Sequence, residues 1–159
     1  MLRGMHTLES TCRHRTIQIA SECPTQFIDI TGRIQSLVVA SAVQTGFVNV
    51  QSLHTTTAIV VNEHEPLLLA DFGSLLERTA PVRAWYAHDD MSRRTANVVP
   101  GERANGHSHC RALFLGPSAC LNIVSGLVQL GRWQRIFFVE LDGPRTRDLS
   151  IMIVGESAR

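Results

Sequence analysis

The chain predicts an α+β fold, a single domain dominated by antiparallel sheet with two or three helices packed on it. Three observations predict it. Apolar and polar residues alternate at Thr16-Ile-Gln-Ile19, Phe27-Ile-Asp-Ile30 and Phe47 to Leu53; more strand-like runs crowd residues 119–154; and helical spacing follows Thr31 and Pro66. With 159 residues, 44% of them hydrophobic, one core can form without disulfides or metal. Residues 1–11 are expected to be a disordered N-terminal segment leading into a single domain over residues 12–159.

The first two alternating runs flank Glu22-Cys-Pro-Thr25 and are expected to form an antiparallel pair closed by a turn. Thr31 suits the cap of a helix running to about Thr45, with Ile34, Leu37, Val38 and Val43 on one stripe and Gly46 as its stop. Phe47 to Leu53 and the continuous apolar run Ala58 to Val61 predict strands on either side of His54-Thr-Thr-Thr57. Pro66 fits the first turn of a second helix that reaches Arg78 and ends before Pro81. Residues 82–105 show no period, and long loops in compact domains are often functional. Asn105-Gly-His-Ser-His109 opens either an extended segment or a short helix over about 106–115. Four strands, at 119–124, 127–130, 135–141 and 148–154, complete the order.

Charge narrows the chemistry. The formal net charge is +1, which gives no field to attract nucleic acid or a membrane surface. All 15 cationic side chains are Arg, so a Schiff-base lysine, a phosphate-loop lysine and a lysine general base are excluded. Phosphate or carboxylate would have to be held by the planar guanidinium fork. Cys12, Cys23, Cys110 and Cys120 lack metal or redox spacing and are expected as buried free thiols. No apolar run reaches membrane-span length and residues 1–11 lack a signal-peptide core, so the expected location is cytoplasmic. GxGxxG, GxSxG and P-loop motifs are missing, and Trp85 and Trp133 are expected in the core or at a subunit contact.

Polar islands interrupt the apolar runs. His107 and His109 would share a face on a strand but diverge by about 200° on a helix. His54, His88 and His109 come from separate segments and would make a better metal site if the fold gathers them; ordinary hydrogen-bonded imidazoles are the alternative. Glu63, beside Asn62 at a strand end, and Asp71 are candidate general bases or else capping and ion-pair residues. Arg145, after Asp142-Gly-Pro, suits an anion or a surface ion pair. Cys110 adjoins His109, but neighbours in sequence point apart and do not make a dyad.

In their order, these islands resemble the YjbQ family, also known as secondary thiamine-phosphate synthases. The resemblance rests on His54-Thr-Thr with Asn62-Glu63, Asp71, His88-Asp89, Asn105 with Ser108-His109, and Gly131-Arg-Trp-Gln134 leading into Glu140-Leu-Asp-Gly-Pro-Arg145, and it covers about residues 15–155. Arg132 stands where the family usually has Thr, and position 107 varies, which favours His54, His88 and His109 over the 107/109 pair. The resemblance implies a homotrimer with a polar pocket near subunit contacts and a weak capacity to join a pyrimidine methyl pyrophosphate to a thiazole phosphate. Asn62, Glu63 and Asp71 are then catalytic candidates; Arg145, Asn105, Thr55 and Thr56 substrate-binding candidates; and His54, His88 and His109 candidates for a divalent metal, Zn or Mg. Metal-dependent hydrolysis of a small phosphorylated metabolite, or a trimer that only binds one, are the competing readings.

Overall fold

The computed structural model describes residues 9–157. Along the chain run β1 (Glu9–Ala20), β2 (Gln26–Asp29), α1 (Thr31–Ser41), β3 (Val43–Ser52), β4 (Thr57–Glu63), α2 (Pro66–Thr79), α3 (Gly106–Leu115), β5 (Ser118–Val124), β6 (Leu127–Val128), β7 (Gln134–Glu140) and β8 (Thr146–Ser157), with a 3-10 turn at Ala87–Asp89 before α3. Every strand pair is antiparallel, in a five-stranded sheet ordered β1-β8-β3-β5-β6 and a three-stranded sheet ordered β2-β7-β4. The α+β class is as expected.

Two cores hold the layers together. Val48, Val50, Ile123, Leu149, Ile151 and Ile153 from the large sheet meet Ile59, Ile136 and Phe138 from the small one, and Ile34 and Val38 of α1 close that space. On the far side of the small sheet, Ala58, Phe137 and Val139 pack with Leu76 of α2 and with Ala112 and Leu115 of α3. β7 is therefore buried on both faces, which explains why Ile136-Phe-Phe-Val139 is continuously apolar instead of alternating. Full burial of Phe137 and Phe138 contributes about 1.5–3 kcal/mol each.

Several expectations are corrected. β1 and β2 do not pair: β1 lies against β8 and β2 against β7, in different sheets. Segment 21–25 is a crossover, fixed where Ser21 N–H donates to the Arg145 carbonyl (2.9 Å) and Gly143 N–H to the Pro24 carbonyl (3.1 Å). α1 ends at Ser41, because Ala42 turns left-handed at φ 61° and Val43 already belongs to β3. Thr31 is not its cap; the Asp29 carboxylate accepts from Thr31 N–H, and the Thr31 hydroxyl accepts from Ile136 N–H. Gly46 faces Gly155 across β3 and β8, where a Cβ would collide with the Val154 carbonyl, so its role is close strand approach rather than a helix stop.

The expected disordered segment lies outside the described residues as far as residue 8. Residues 9–11 belong to β1, paired in register with Ser157, Glu156 and Gly155. The ladder with β8 extends the strand back through residues 9–15, which carry no apolar alternation of their own. Cys12, Cys23 and Cys120 are free but exposed, not buried, and Cys110 is half-buried. Trp85 and Trp133 are exposed, which removes them from the core. Among the described residues, no helix is long and apolar enough to cross a membrane.

Candidate functional site

The two sheets, the start of α3 and the loop before it surround a cavity of about 930 Å³. Its floor is the turn between β7 and β8. Leu141 N–H donates to the Thr56 carbonyl (3.2 Å), joining this turn to the segment between β3 and β4. From the other side, Asn105 Nδ2 donates to Asp142 Oδ2 (3.1 Å) and Ser108 Oγ to the Leu141 carbonyl (2.5 Å). Asp89 fixes the start of α3, its Oδ1 accepting from Asn105 N–H and Gly106 N–H, both at 2.9 Å. An anion at a helix N-terminus satisfies donors that the helix itself cannot. Asp89→Ala is expected to lower the unfolding free energy by about 1–2 kcal/mol and to speed amide exchange in the first turn of α3, as read by urea titration and hydrogen exchange.

Four arginines line the cavity, Arg94, Arg103, Arg145 and Arg147, against the carboxylates of Glu102 and Asp142. Glu140 stands behind Arg147, so positive charge exceeds negative by four against three. Arg94 is fully engaged with Glu102 and the Ala96 and Asn97 carbonyls. Arg147 Nε and Nη2 donate to the two Glu140 oxygens at 2.8 and 2.7 Å, and Nη2 also donates to Thr56 Oγ1 (3.1 Å). Glu140 also accepts from Leu141 N–H, Asp142 N–H and Ser21 Oγ. Arg145 Nε and Nη2 hold the Asp142 carbonyl and carboxylate, and Arg103 Nη2 donates to that same carbonyl.

His88 and His109 stand edge to face across the cavity wall, ring centroids 4.6 Å apart. Burial, and after it the neighbouring His88 imidazole, depress His109 below the ordinary histidine range and keep it neutral at pH 7. Two buried polar atoms at this cavity, His88 Nε2 and Asn105 Oδ1, have no protein partner. Since buried polar atoms are rarely left unpaired, both are suited to a ligand's donors or acceptors.

The fold thus gathers Thr55, Thr56, His88, Asn105, His109 and Arg145 around one cavity. Because residues 106–115 are helical, the 107/109 pair diverges: His107 lies near Tyr86, ring centroids 6.4 Å apart, and His109 turns to the cavity. His54 lines an adjoining cavity, and its Nε2 accepts from Asp148 N–H (2.9 Å). Asn62 and Glu63 sit at the other end of β4, about 20 Å from Thr57 at strand rise, in a cleft of about 360 Å³ beside Trp133. Asp71 is exposed on α2. None of these three lines the arginine cavity.

Sequence reasoning passed over Arg103, Asp142 and Arg147. A signal for Arg147 was present, because it alternates in phase with Leu149, Ile151 and Ile153, and a charge on a buried strand face requires a buried partner. Arg103 lies in an aperiodic loop and carries no such signal.

The family described as UPF0047 protein YjbQ-like matches residues 15–156. A UPF0047 protein of Methanothermobacter thermautotrophicus is 40% identical over 131 residues, 82% of this chain and 84% of its own length. One from Archaeoglobus fulgidus is 38% identical over 122 residues, 77% of this chain and 86% of its own. Among solved structures, a YbjQ-like protein of unknown function from Sulfolobus solfataricus P2 superimposes with a TM-score of 0.83 at 29% identity, covering 93% of this chain and 100% of that one.

Proposed function

This chain belongs to the YjbQ-like UPF0047 family, and we propose that it binds small phosphorylated metabolites in the arginine-lined cavity and joins a pyrimidine methyl pyrophosphate to a thiazole phosphate. One observation carries the reading: Arg103, Arg145 and Arg147 converge with His88 and His109 on a single cavity with excess positive charge. In the proposed reaction the bond from the methylene carbon to the pyrophosphate oxygen breaks, and its electron pair leaves on pyrophosphate. The thiazole nitrogen lone pair then forms the new carbon–nitrogen bond. No proton has to be removed, so the step needs no free carboxylate base. The pocket supports this demand, since Asp142 and Glu102 are already paired with arginines. What the step requires is fixed positive charge where the pyrophosphate develops its own, and Arg145 and Arg147 would supply it.

Hydrolysis is the second reading: both carboxylates lining the cavity are held in ion pairs, so the base for a water nucleophile would have to be the neutral His109 imidazole. The test is to incubate the protein with both substrates and follow thiamine phosphate. Its formation is the expected result. Phosphate release without the thiazole would point to hydrolysis, and tight binding without turnover to a metabolite-binding protein.

Among the described residues, no three His, Cys, Asp or Glu side chains come together as a ligand set, and His54 Nε2 is already taken by a backbone N–H. We therefore place no metal on a centre formed by His54, His88 and His109 of one chain. A divalent ion, Mg or Zn, enters the proposal as a companion of pyrophosphate, held by its oxygens. Elemental analysis of ligand-free protein should find less than one metal per chain. A stoichiometric metal, lost in a His54/His88/His109 triple Ala variant of verified fold, would instead restore the centre. The proposal includes a homotrimer, expected to sediment at about three times 17.6 kDa. Exposed Trp133, beside Asn62 and Glu63, would face a neighbouring copy there.

A further inference from the structure

We propose that the outer face of the large sheet carries a site for a soft monovalent ion, Cu(I), held by Cys12, Met152 and His14. It is independent of the arginine cavity, which none of the three lines. Cys12 and His14 also precede the segment 15–156 that matches the family, so the family match does not account for them.

Strand geometry brings the three together. Ile17 and Ile19 of β1 pack toward the core, so alternation places Cys12 and His14 on the opposite, exposed face. In β8, Leu149, Ile151 and Ile153 face the core and Met152 the other side. His14 and Met152 are register partners, with Cys12 diagonal to Met152 and opposite Val154. Facing partners have Cβ atoms about 4.5–5.5 Å apart, within reach of an exposed imidazole. The Cys12 thiol donates to the Met152 thioether, Sγ and Sδ standing 3.5 Å apart. Among the described residues, Cys12 is the thiol in hydrogen-bond contact with a second soft donor; Cys23 and Cys120 are merely exposed.

The ion replaces the thiol proton between the two sulfurs, and that proton passes to solvent. With metal–sulfur bonds of about 2.3 Å, two sulfurs stand about 3.8 Å apart in a tetrahedral site and about 4.6 Å apart in a linear one. The observed 3.5 Å matches the bent arrangement, which calls for a third donor. His14 supplies it by releasing the Ser150 hydroxyl, which its Nε2 meets at 2.9 Å. That neutral hydrogen bond is exposed, and water replaces it at little cost. Thiolate with thioether selects Cu(I), whereas a structural zinc takes four N or S donors and Mg takes oxygen. One thiolate also balances one positive charge.

Anaerobic titration of Cu(I) in competition with bicinchoninate tests this, on full-length protein stripped of metal and carrying Cys23→Ser and Cys120→Ser to remove the other exposed thiols. One Cu(I) per chain is expected, and Cys12→Ser should abolish it. Met152→Leu and His14→Gln should each weaken it by at least about tenfold, the lower bound for disturbing even an outer partner of a metal. Leucine keeps the apolar volume of Met152 and position 14 is exposed, so both variants should stay folded, as circular dichroism checks. Equal binding by Cys12→Ser, or no Cu(I) taken from the indicator, would overturn the site. Unchanged affinity in either Met152→Leu or His14→Gln would reduce it to a single thiol and overturn the three-donor reading. The His54/His88/His109 triple Ala variant should bind Cu(I) as strongly as its parent; loss there would assign the ion to the arginine cavity instead.

Discussion

Replacing Glu140 with Gln is expected to lower the free energy of unfolding by about 3–5 kcal/mol, the cost of leaving a buried charge without its partner. Glu140 is fully buried at 0% exposure, and Arg147 is nearly so at 6%. The carboxylate takes both arms of the Arg147 guanidinium and also accepts from Ser21 Oγ, Leu141 N–H and Asp142 N–H. Glutamine keeps the shape but brings an NH₂ against a guanidinium that can only donate. Urea titration at pH 7 measures the loss; a change under about 1 kcal/mol would mean the pair is not the anchor it is taken for here. A Glu140→Leu, Arg147→Met double variant should regain only part of the stability, since apolar residues can replace the ion pair itself but leave the Asp142 N–H that Glu140 accepts without a partner, and phosphate binding should stay impaired.

The same pair sets a pH dependence. Burial alone would raise the Glu140 pKa, but the Arg147 hydrogen bond, the Asp142 N–H, the Arg147 charge and the Ser21 hydroxyl outweigh it and hold the carboxyl below its ordinary 4.5. A depressed folded pKa gives stability that is present above the unfolded value and is lost as pH falls through the folded one. The deficit of Glu140→Gln relative to wild type should therefore be constant near neutrality and shrink below about pH 4.5.

The second large effect is on binding. Arg145→Lys is expected to weaken inorganic pyrophosphate about 10- to 100-fold, the range for loss of one charge-assisted hydrogen bond. Two nitrogens of Arg145 are committed to Asp142, Nε to its carbonyl at 3.0 Å and Nη2 to its carboxylate at 2.9 Å, which leaves Nη1 for an anion in the cavity. A lysine has one nitrogen and cannot both hold Asp142 and reach a phosphate. At 40% side-chain exposure the ion pair itself is solvent-screened, so thermal stability should change by less than about 1 kcal/mol. Equal pyrophosphate affinity in a folded Lys variant would make Arg145 only a clasp for Asp142.

The fold was legible wherever burial falls on one face or on both. β8 alternates because the large sheet has a single core-facing side, and α2 announces itself through Pro66 at its start, although it is the Glu65 carboxylate that accepts from Leu67 N–H and Leu68 N–H. The pairing of strands was not legible. Glu22 to Thr25 looks like a hairpin turn, yet the chain there crosses from one sheet to the other, because β8 and β7 offer β1 and β2 partners far away in sequence. Nor could α1 be ended correctly, since the signal at Gly46 belongs to the contact between strands β3 and β8.

By itself, the sequence determined the class of fold, the arginine-only chemistry open to any anion, and the candidates Thr55, Thr56, His88, Asn105, His109 and Arg145, because composition, period and local motif are properties of short segments. Tertiary structure decided which of those candidates meet. It set His109 beside His88, sent Asn62 and Glu63 to the opposite end of β4, turned His54 toward an uncharged neighbouring cavity, and brought in Arg103 and Arg147, which no motif had marked. The physical reason is that strand pairing joins segments more than 90 residues apart through backbone hydrogen bonds that are the same for every residue, so Thr56 finds Arg147 only after β3 and β8 have paired.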